Sequence, residues 1–502
     1  MDKNEQNKYE RQSQEARRHP IQPCKALLPA IMALWVLMTT AIASSAQTVT
    51  TLVNFDGSNG ASPNGPLVQG TNGNLYGTTL LGGSQSYGTA FRMTPAGALA
   101  TIYNFCVQPN CTDGNNPEAG LVLATNGDFY GTTTGGGNAT PPEGTVFRIT
   151  PQGARSTLYS FINTYAYATD PSALIQATNG DFYGMTQGTG TGYGMIYKVT
   201  PSGEFTSLYS FTGGIDGGYP VSGLVQASNG GLYAASSGIS IGSPPGEFFV
   251  ISLGGAFKGL RSIVYGDGEV VNTLVQATDG SFYGTAQQGG SASDCGLSFG
   301  CGTFFKMTSA GKPTLLYSFC SQPNCTDGVF PYGALVQGTD GNFYGTTQYG
   351  GNGSNSLCIS AGGCGTIFKV TPTGTLTTLY SFNYTDGNRP NGLVQGTDGD
   401  FYGTTQYGGL TYNGGTAFSL SVGLGPFVET LPTSGKVGAA VRVLGSDLTG
   451  SSGVSFNGVP ATFTVVSPSE ITATVPTGAT TGTVLVNTPG SALSSNVPFR
   501  VP

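Results

Sequence analysis

The sequence predicts an all-β protein: a seven-bladed β-propeller closed by its own N-terminal strand over residues 47–423, then an immunoglobulin-like β-sandwich over 424–502. Three observations predict it. One motif recurs seven times between Thr51 and Val422, a Gly/Asx turn followed by an aromatic strand, as in TNGNLYGTT, TNGDFYGMT and TDGDFYGTT. Its anchor tyrosines, Tyr76, Tyr130, Tyr183, Tyr233, Tyr283, Tyr344 and Tyr402, lie 50 to 61 residues apart. A period of that size with strand-like content marks a propeller or solenoid array. Each copy also carries four strand segments, and the first and last strands of the array are out of phase in a way that lets them join. Composition agrees: Gly supplies 81 of 502 residues and charged residues only 9%, the mixture expected of many short strands joined by tight turns.

The elements follow in chain order. Residues 1–25 carry Lys3, Lys8, Arg11, Arg17, Arg18 and Lys25, an apolar run spans 26–43, and Ser44-Ser45-Ala46 precedes Gln47. Basic, apolar and small-residue regions in that order describe a secretory signal cleaved after Ala46; an uncleaved anchor is the alternative, because the run approaches the shortest bilayer span. Removing 1–46 takes away the only His (His19), the only Trp (Trp35), six basic and four acidic residues. The remainder holds 13 basic and 22 acidic side chains, a net charge near −9. Nucleic acid is therefore excluded as a partner, since phosphate binding needs a basic surface. Integral membrane association is excluded unless the N-terminal segment stays uncleaved.

The sixth repeat shows the blade plan: Gly333–Gly338, Asn342–Gln348, Gly365–Thr371 and Thr375–Phe382. We name these strands a, b, c and d. Asp-Gly between a and b predicts a type I′ hairpin, with positive φ at both turn positions. Pro372-Thr373-Gly374 turns c into d. The array opens on a d-like segment, Thr50–Phe55, and ends on a c-like one, Gly415–Val422, so joining them completes the seventh blade and hides two strand edges. The a–b and c–d turns are short and share one face. The longer, variable d–a and b–c loops share the other, where binding normally sits.

After Val422 the pattern changes to short alternating strands with Gly/Pro turns. The segments LPTSGKVGAAVRVLGSDL, VSFNGVPATF, EITATVP and TGTVLVNT resemble the IPT/TIG immunoglobulin-like domain, which implies an interaction or spacer module and no activity. The repeats, notably Leu335–Gly351 and Gly365–Phe382, resemble the GloVer-type repeat of exported "choice-of-anchor" bacterial proteins. That resemblance implies an extracellular or cell-surface location and no established ligand.

Eight cysteines remain in four local pairs, Cys106/Cys111, Cys295/Cys301, Cys320/Cys325 and Cys358/Cys364. Close pairs in even number in an exported chain predict disulfides, with Cα separations of about 4.4–6.8 Å. Their spacing and the missing His argue against zinc. The same lack excludes Ser-His-Asp catalysis and His-ligated copper, including the galactose-oxidase-type enzymes whose propeller-plus-sandwich layout this chain resembles. No metal or cofactor is predicted.

Carboxylates remain. Asp56, Asp113, Asp170, Asp216, Asp267, Asp327 and Asp386 each fall in a d–a loop, one per repeat. Symmetry would ring them near the channel mouth as ligand-binding acids; the competing reading is an Asp that accepts local backbone hydrogen bonds in a turn. Glu118, Glu143 and Glu247 break the repeat, but nothing in the sequence joins any two of them as a catalytic pair. The Asx-Gly-Asx turns lack the further oxygen ligands of a calcium loop. Tyr165, Tyr167, Tyr349, Tyr407 and Tyr412 are loop aromatics suited to stacking on sugars. The expected activity is non-enzymatic binding of an extracellular polymer, glycan or surface protein. The rivals are a secreted carbohydrate-active enzyme using loop carboxylates and a structural surface component.

Overall fold

The computed structural model describes residues 47–502 apart from 141, 163–170, 189–191, 221, 239–245, 265–267, 269, 292–299, 361 and 411. The leader reading of 1–46 lies outside them. Among the described residues no helix is long and apolar enough to cross a membrane. The repeat region folds into seven four-stranded antiparallel sheets, numbered here in chain order, over 68–104, 122–162, 175–210, 225–262, 271–318, 329–381 and 388–421. Six of them run a-b-c-d in sequence. The seventh takes its fourth strand from Thr48–Asn54, which pairs antiparallel with Thr416–Ser421, Thr48 opposite Ser421 and Asn54 opposite Thr416.

Strand b explains why the repeat needs its motif. In six sheets it has five consecutive buried residues, because both faces of each sheet are covered by neighbours. The anchor tyrosine of one sheet stacks on the b-strand phenylalanine of the next: Tyr76 on Phe129, Tyr130 on Phe182, Tyr233 on Phe282, Tyr283 on Phe343 and Tyr344 on Phe401, with ring centroids 3.9–4.5 Å apart. Tyr183 packs in one cluster with Leu232, and Tyr402 of sheet 7 in one cluster with Leu75 of sheet 1. The glycine after the tyrosine is a matter of space. A Cβ on Gly77, Gly131, Gly345 or Gly403 would lie within 2.7 Å of the c-strand phenylalanine ring that crosses it.

The a–b turn corrects the type I′ expectation. Gly73, Gly127, Gly180, Gly230, Gly280, Gly341 and Gly399 have positive φ, but the Asx residues before them do not. Gly73 N–H bonds Gly70 O, and Gly70 N–H bonds Asn74 O. This is a three-residue loop, a turn followed by one left-handed glycine. Its Asx side chain is committed to the buried tyrosine. Asn72, Asn126, Asn179 and Asn229 donate to the phenol oxygen at 2.8–3.1 Å; in the last three copies the phenol donates to Asp279, Asp340 and Asp398 at 2.6–3.1 Å.

A second repeated device joins neighbouring sheets. The Gln of strand a accepts from a backbone N–H of the preceding sheet's a–b turn, as in Thr125 to Gln176, Thr178 to Gln226, Ser228 to Gln276, Thr278 to Gln337 and Thr339 to Gln395, at 2.7–3.1 Å. Thr397 of sheet 7 bonds Gln69 of sheet 1 in the same way at 2.9 Å. Sheet 2 carries Leu123 at this position, so the bridge between sheets 1 and 2 is missing.

Residues 427–501 form two four-stranded sheets around Val441, Val443, Phe456, Ile471, Val484 and Phe499. This sandwich rests on three a–b turns. Phe427 N–H and Ser446 Oγ bond Thr397, Ser469 Oγ bonds Thr71 O, and Arg442 Nε bonds Thr125 O. The last two contacts straddle the joint that lacks its glutamine. Inside the sandwich, burial pushes the Glu429 carboxyl up to about 7, against the pull of the Asn496 amide. Between about pH 4.5 and 7 the folded chain therefore holds a proton that the unfolded chain has lost, and stability falls as pH rises through that window. Glu429→Gln is expected to be more stable than the wild type at pH 8, by about 1–2 kcal/mol after allowance for its partial exposure, and indistinguishable at pH 4. Thermal melts of both proteins at the two pH values check this; equal differences at both would refute it.

Candidate functional site

The d–a and b–c loops meet at the end of the sheets opposite the sandwich contacts. Four loop aspartates have their carboxylates committed locally. Asp113 accepts from Tyr103 Oη at 2.7 Å and from the Val107 and Gln108 N–H groups. Asp327 repeats this with Tyr317, Ser321 and Gln322. Asp216 takes Tyr209 and Thr212, and Asp386 takes Tyr380 and Asn383. Each tyrosine is on strand d, so these carboxylates are tied to the fourth strand of their sheets rather than to the first. Asp113, Asp216 and Asp327 are buried. The charge-assisted bonds raise all four phenols far above their ordinary range, after burial itself. Asp170 and Asp267 lie outside the described residues.

Disulfides stiffen the same loops. Cys106–Cys111, Cys320–Cys325 and Cys358–Cys364 are bonded, with Cα separations of 4.1, 4.1 and 4.9 Å. The first two fall just below the expected window. Both close a single turn, Pro109–Cys111 or Pro323–Cys325, whose cysteines take positive φ. Cys301 is buried and disulfide-bonded; Cys295, the partner read from the sequence, lies outside the described residues.

Asp56 differs from the other described loop aspartates. Sheet 7 has Val53 where sheets 1, 3, 5 and 6 place the latching tyrosine, and Asp56 is exposed. Ser58 N–H, Ser58 Oγ and Asn59 N–H all bond its Oδ1 at 2.7–3.0 Å. These bonds, the Asn59 N–H first, hold its pKa below the ordinary carboxylate value. Oδ2 has no donor among the described residues. The carboxylate lines a groove of ≈ 550 Å³ with Ser58, Ser62, Leu81, Ser86, Tyr412 and Asn413. The Tyr412 ring lies against Gly57, 3.0 Å from where a Cβ would be, and is 60% exposed. The groove thus combines a flat aromatic face, a fixed carboxylate oxygen and several hydroxyl and amide groups. An opening of similar size in the sandwich, lined by Pro426, Asp447, Thr488 and Leu493, contains no aromatic ring.

Of the aromatics expected in loops, Tyr349 and Tyr407 are the last residues of strand b in sheets 6 and 7, and Tyr412 lies in the b–c loop of sheet 7; Tyr165 and Tyr167 lie outside the described residues. It also connects two acids that the sequence left apart. Glu247 lies near enough to Asp216 for that charge, after burial, to raise its pKa. Asp216 is already saturated by Tyr209 and Thr212, so this pair lacks the free second carboxylate that glycoside hydrolysis needs. Glu118 accepts from Asn64 at 3.0 Å. Among the described residues no group of three or more His, Cys, Asp and Glu is placed to hold a metal ion.

Comparison with known proteins agrees with this architecture. Virginiamycin B lyase from Staphylococcus aureus superposes with a TM-score of 0.51 at 14% identity, over 75% of this chain and 99% of its own. That likeness shows a propeller-like fold and nothing about activity. The extracellular domain of a hybrid two-component system from B. thetaiotaomicron gives a TM-score of 0.47 at 12% identity, over 89% of this chain and 54% of its own. PorZ, a surface component of the type-IX secretion system of Porphyromonas gingivalis, gives 0.46 at 14% identity, over 90% and 60%. No curated protein matches. The IPT/TIG domain matches residues 427–501. The Gloeobacter/Verrucomicrobia repeat matches 39–243 and 235–459, most of the chain, and the protein belongs to that repeat family.

Proposed function

We propose that this is an exported, non-enzymatic binding protein whose seven sheets close into a seven-bladed ring and whose loop face holds an extracellular glycan in the Asp56–Tyr412 groove. Ring closure is supported by the Thr48–Asn54 pairing, by Tyr402 packing with Leu75 and by the Thr397–Gln69 bond. Export is supported by the leader composition and the loop disulfides. The observation that carries the binding reading is the exposed Tyr412 ring beside the free Asp56 oxygen in one groove. A sugar presents an apolar C–H face to an aromatic ring and hydroxyls to acceptors, and this lining offers both. The sandwich contacts leave the loop face uncovered.

A glycan array probed with the purified chain, followed by calorimetry on the best binder, tests the reading. Tyr412→Ala is expected to weaken binding by about tenfold, equivalent to ~1.4 kcal/mol, with little change in melting temperature because the ring is exposed. Asp56→Asn should weaken it less. Undiminished affinity in both variants would place the site elsewhere.

A further inference from the structure

We propose that Arg389 forms a carboxylate-binding subsite on the loop face, so that the glycan it recognises is acidic. This deepens the reading above and rests on it for the polymer class. The inference starts from charge. The segments joining strand d to the LVQG-type core of strand a, and strand b to strand c, contain eleven carboxylates and a single basic residue, Arg389, in the early part of the seventh sheet's strand a, Asn388–Gln395. Its guanidinium carbon lies 5.0 Å from the Tyr349 ring centroid and 5.4 Å from that of Tyr407. Phe330 meets the Tyr349 ring edge-on at 6.0 Å. Stacking of this kind occupies the faces of a guanidinium and leaves its in-plane donors free. Among the described residues no carboxylate pairs with them. Asp386, three positions earlier, is bound to Tyr380 and Asn383.

The backbone adds an independent observation. Arg389 precedes Pro390 and has φ 54. The same left-handed, pre-proline conformation occurs at Ser62, Asn116, Tyr219 and Phe330, with φ 46–55. In each copy the residue's N–H bonds a carbonyl of the preceding sheet's b–c loop: Gly414, Tyr87, Tyr193, Cys301 and, for Arg389, Cys364. The backbone role is constant while the side chain varies. This conformation suits Asn or Gly and is costly for Tyr, Phe or Arg. Conformation therefore does not account for an arginine here, and such outliers gather at ligand sites.

The chemistry selects the ligand. A guanidinium held against two tyrosine rings binds a carboxylate edge-on, through two parallel charge-assisted bonds. Tyr407 leads directly into the loop that carries Tyr412, and Gly408 N–H is pinned to Asn413 Oδ1 at 2.7 Å. One short loop thus links the two sites.

The test measures binding of the full chain to oligogalacturonides and to the same oligomers after carboxyl reduction. The wild type is expected to prefer the acidic form by at least tenfold. Arg389→Gln should abolish that preference while retaining affinity for the reduced form, and Arg389→Lys should restore part of it. Tyr407→Leu, which leaves the cation but loosens its stack, should lower the preference and serves if Arg389→Gln does not fold. Equal affinity of the wild type for the two forms, or an unchanged preference in Arg389→Gln, overturns the proposal. Arg389-dependent binding of peptides with a free C-terminal carboxylate, without uronate binding, overturns the glycan source. If Tyr412→Ala is neutral while the Arg389 preference persists, the groove reading fails and the subsite stands.

Discussion

A chain lacking residues 47–55 is expected to lose the cooperative stability of sheet 7 and to aggregate. Thr48–Asn54 provides six of the paired positions that cover Thr416–Ser421. Val53 and Phe55 are buried, and Phe55 packs on Phe91 at 5.3 Å between ring centroids in the cluster that includes Leu75 and Tyr402. Burial of a Val and a Phe alone is worth about 3–6 kcal/mol, before the ladder hydrogen bonds are counted. Their removal also bares the full edge of Thr416–Ser421, a template for pairing with another chain. Size-exclusion chromatography and thermal melting of the truncated protein, with and without an added peptide of sequence TVTTLVNF, read both effects. The peptide should recover monomer and part of the melting temperature. A truncated protein that stays monomeric with an unchanged melt would refute the closing role of the strand.

Asp327→Ala is expected to cost about 2–3 kcal/mol. The carboxylate is 1% exposed and serves three donors, Tyr317 Oη at 2.7 Å, Ser321 N–H at 2.9 Å and Gln322 N–H at 3.3 Å. A hydrogen bond to a charged group contributes roughly 1.5–3 kcal/mol; Ser321 and Gln322 are exposed and can turn to water, so most of the loss falls on the half-buried Tyr317 phenol. Asp327→Asn keeps one acceptor oxygen and should lose less. Asp56→Ala removes only exposed contacts and should leave the melt nearly unchanged. Denaturant titration of the three variants gives the ranking, and glycan affinity of Asp327→Asn separates stapling from recognition. Reduced affinity without reduced stability in that variant would return Asp327 to the ligand-binding set.

The architecture was legible because repetition is a property of sequence. Seven Asx-Gly turns with seven tyrosines fix the number of sheets, and the misplaced d-like segment at Thr50–Phe55 identifies its partner. What stayed hidden depends on contacts between copies. The Gln of LVQG looks like an ordinary polar strand residue until its partner in the preceding sheet is visible. The local bonds of the repeated Asp are hidden because its tyrosine, on strand d, carries no mark that distinguishes it from core aromatics. Arg389 does carry a sequence signal: it is the single cation in the segments that join d to the LVQG-type core of a and b to c. The hairpin type is not legible in the sequence because Asx-Gly fits both a two-residue turn and a three-residue loop, and only the φ values separate them.

The pairing register of Thr48–Asn54 also determines how the protein answers to force. Thr48 lies opposite Ser421, so the chain enters and leaves this strand pair at the same end. Tension between the two flanking segments would peel the pair open one rung at a time, a path of low resistance, rather than shear all its rungs together. On the C-terminal side the pull reaches the sandwich first, where Phe427, Ser446, Ser469 and Arg442 grip three turns. A tether through the sandwich alone would therefore load those contacts and spare the seam. A tether through both flanks would make the seam the first part to give way.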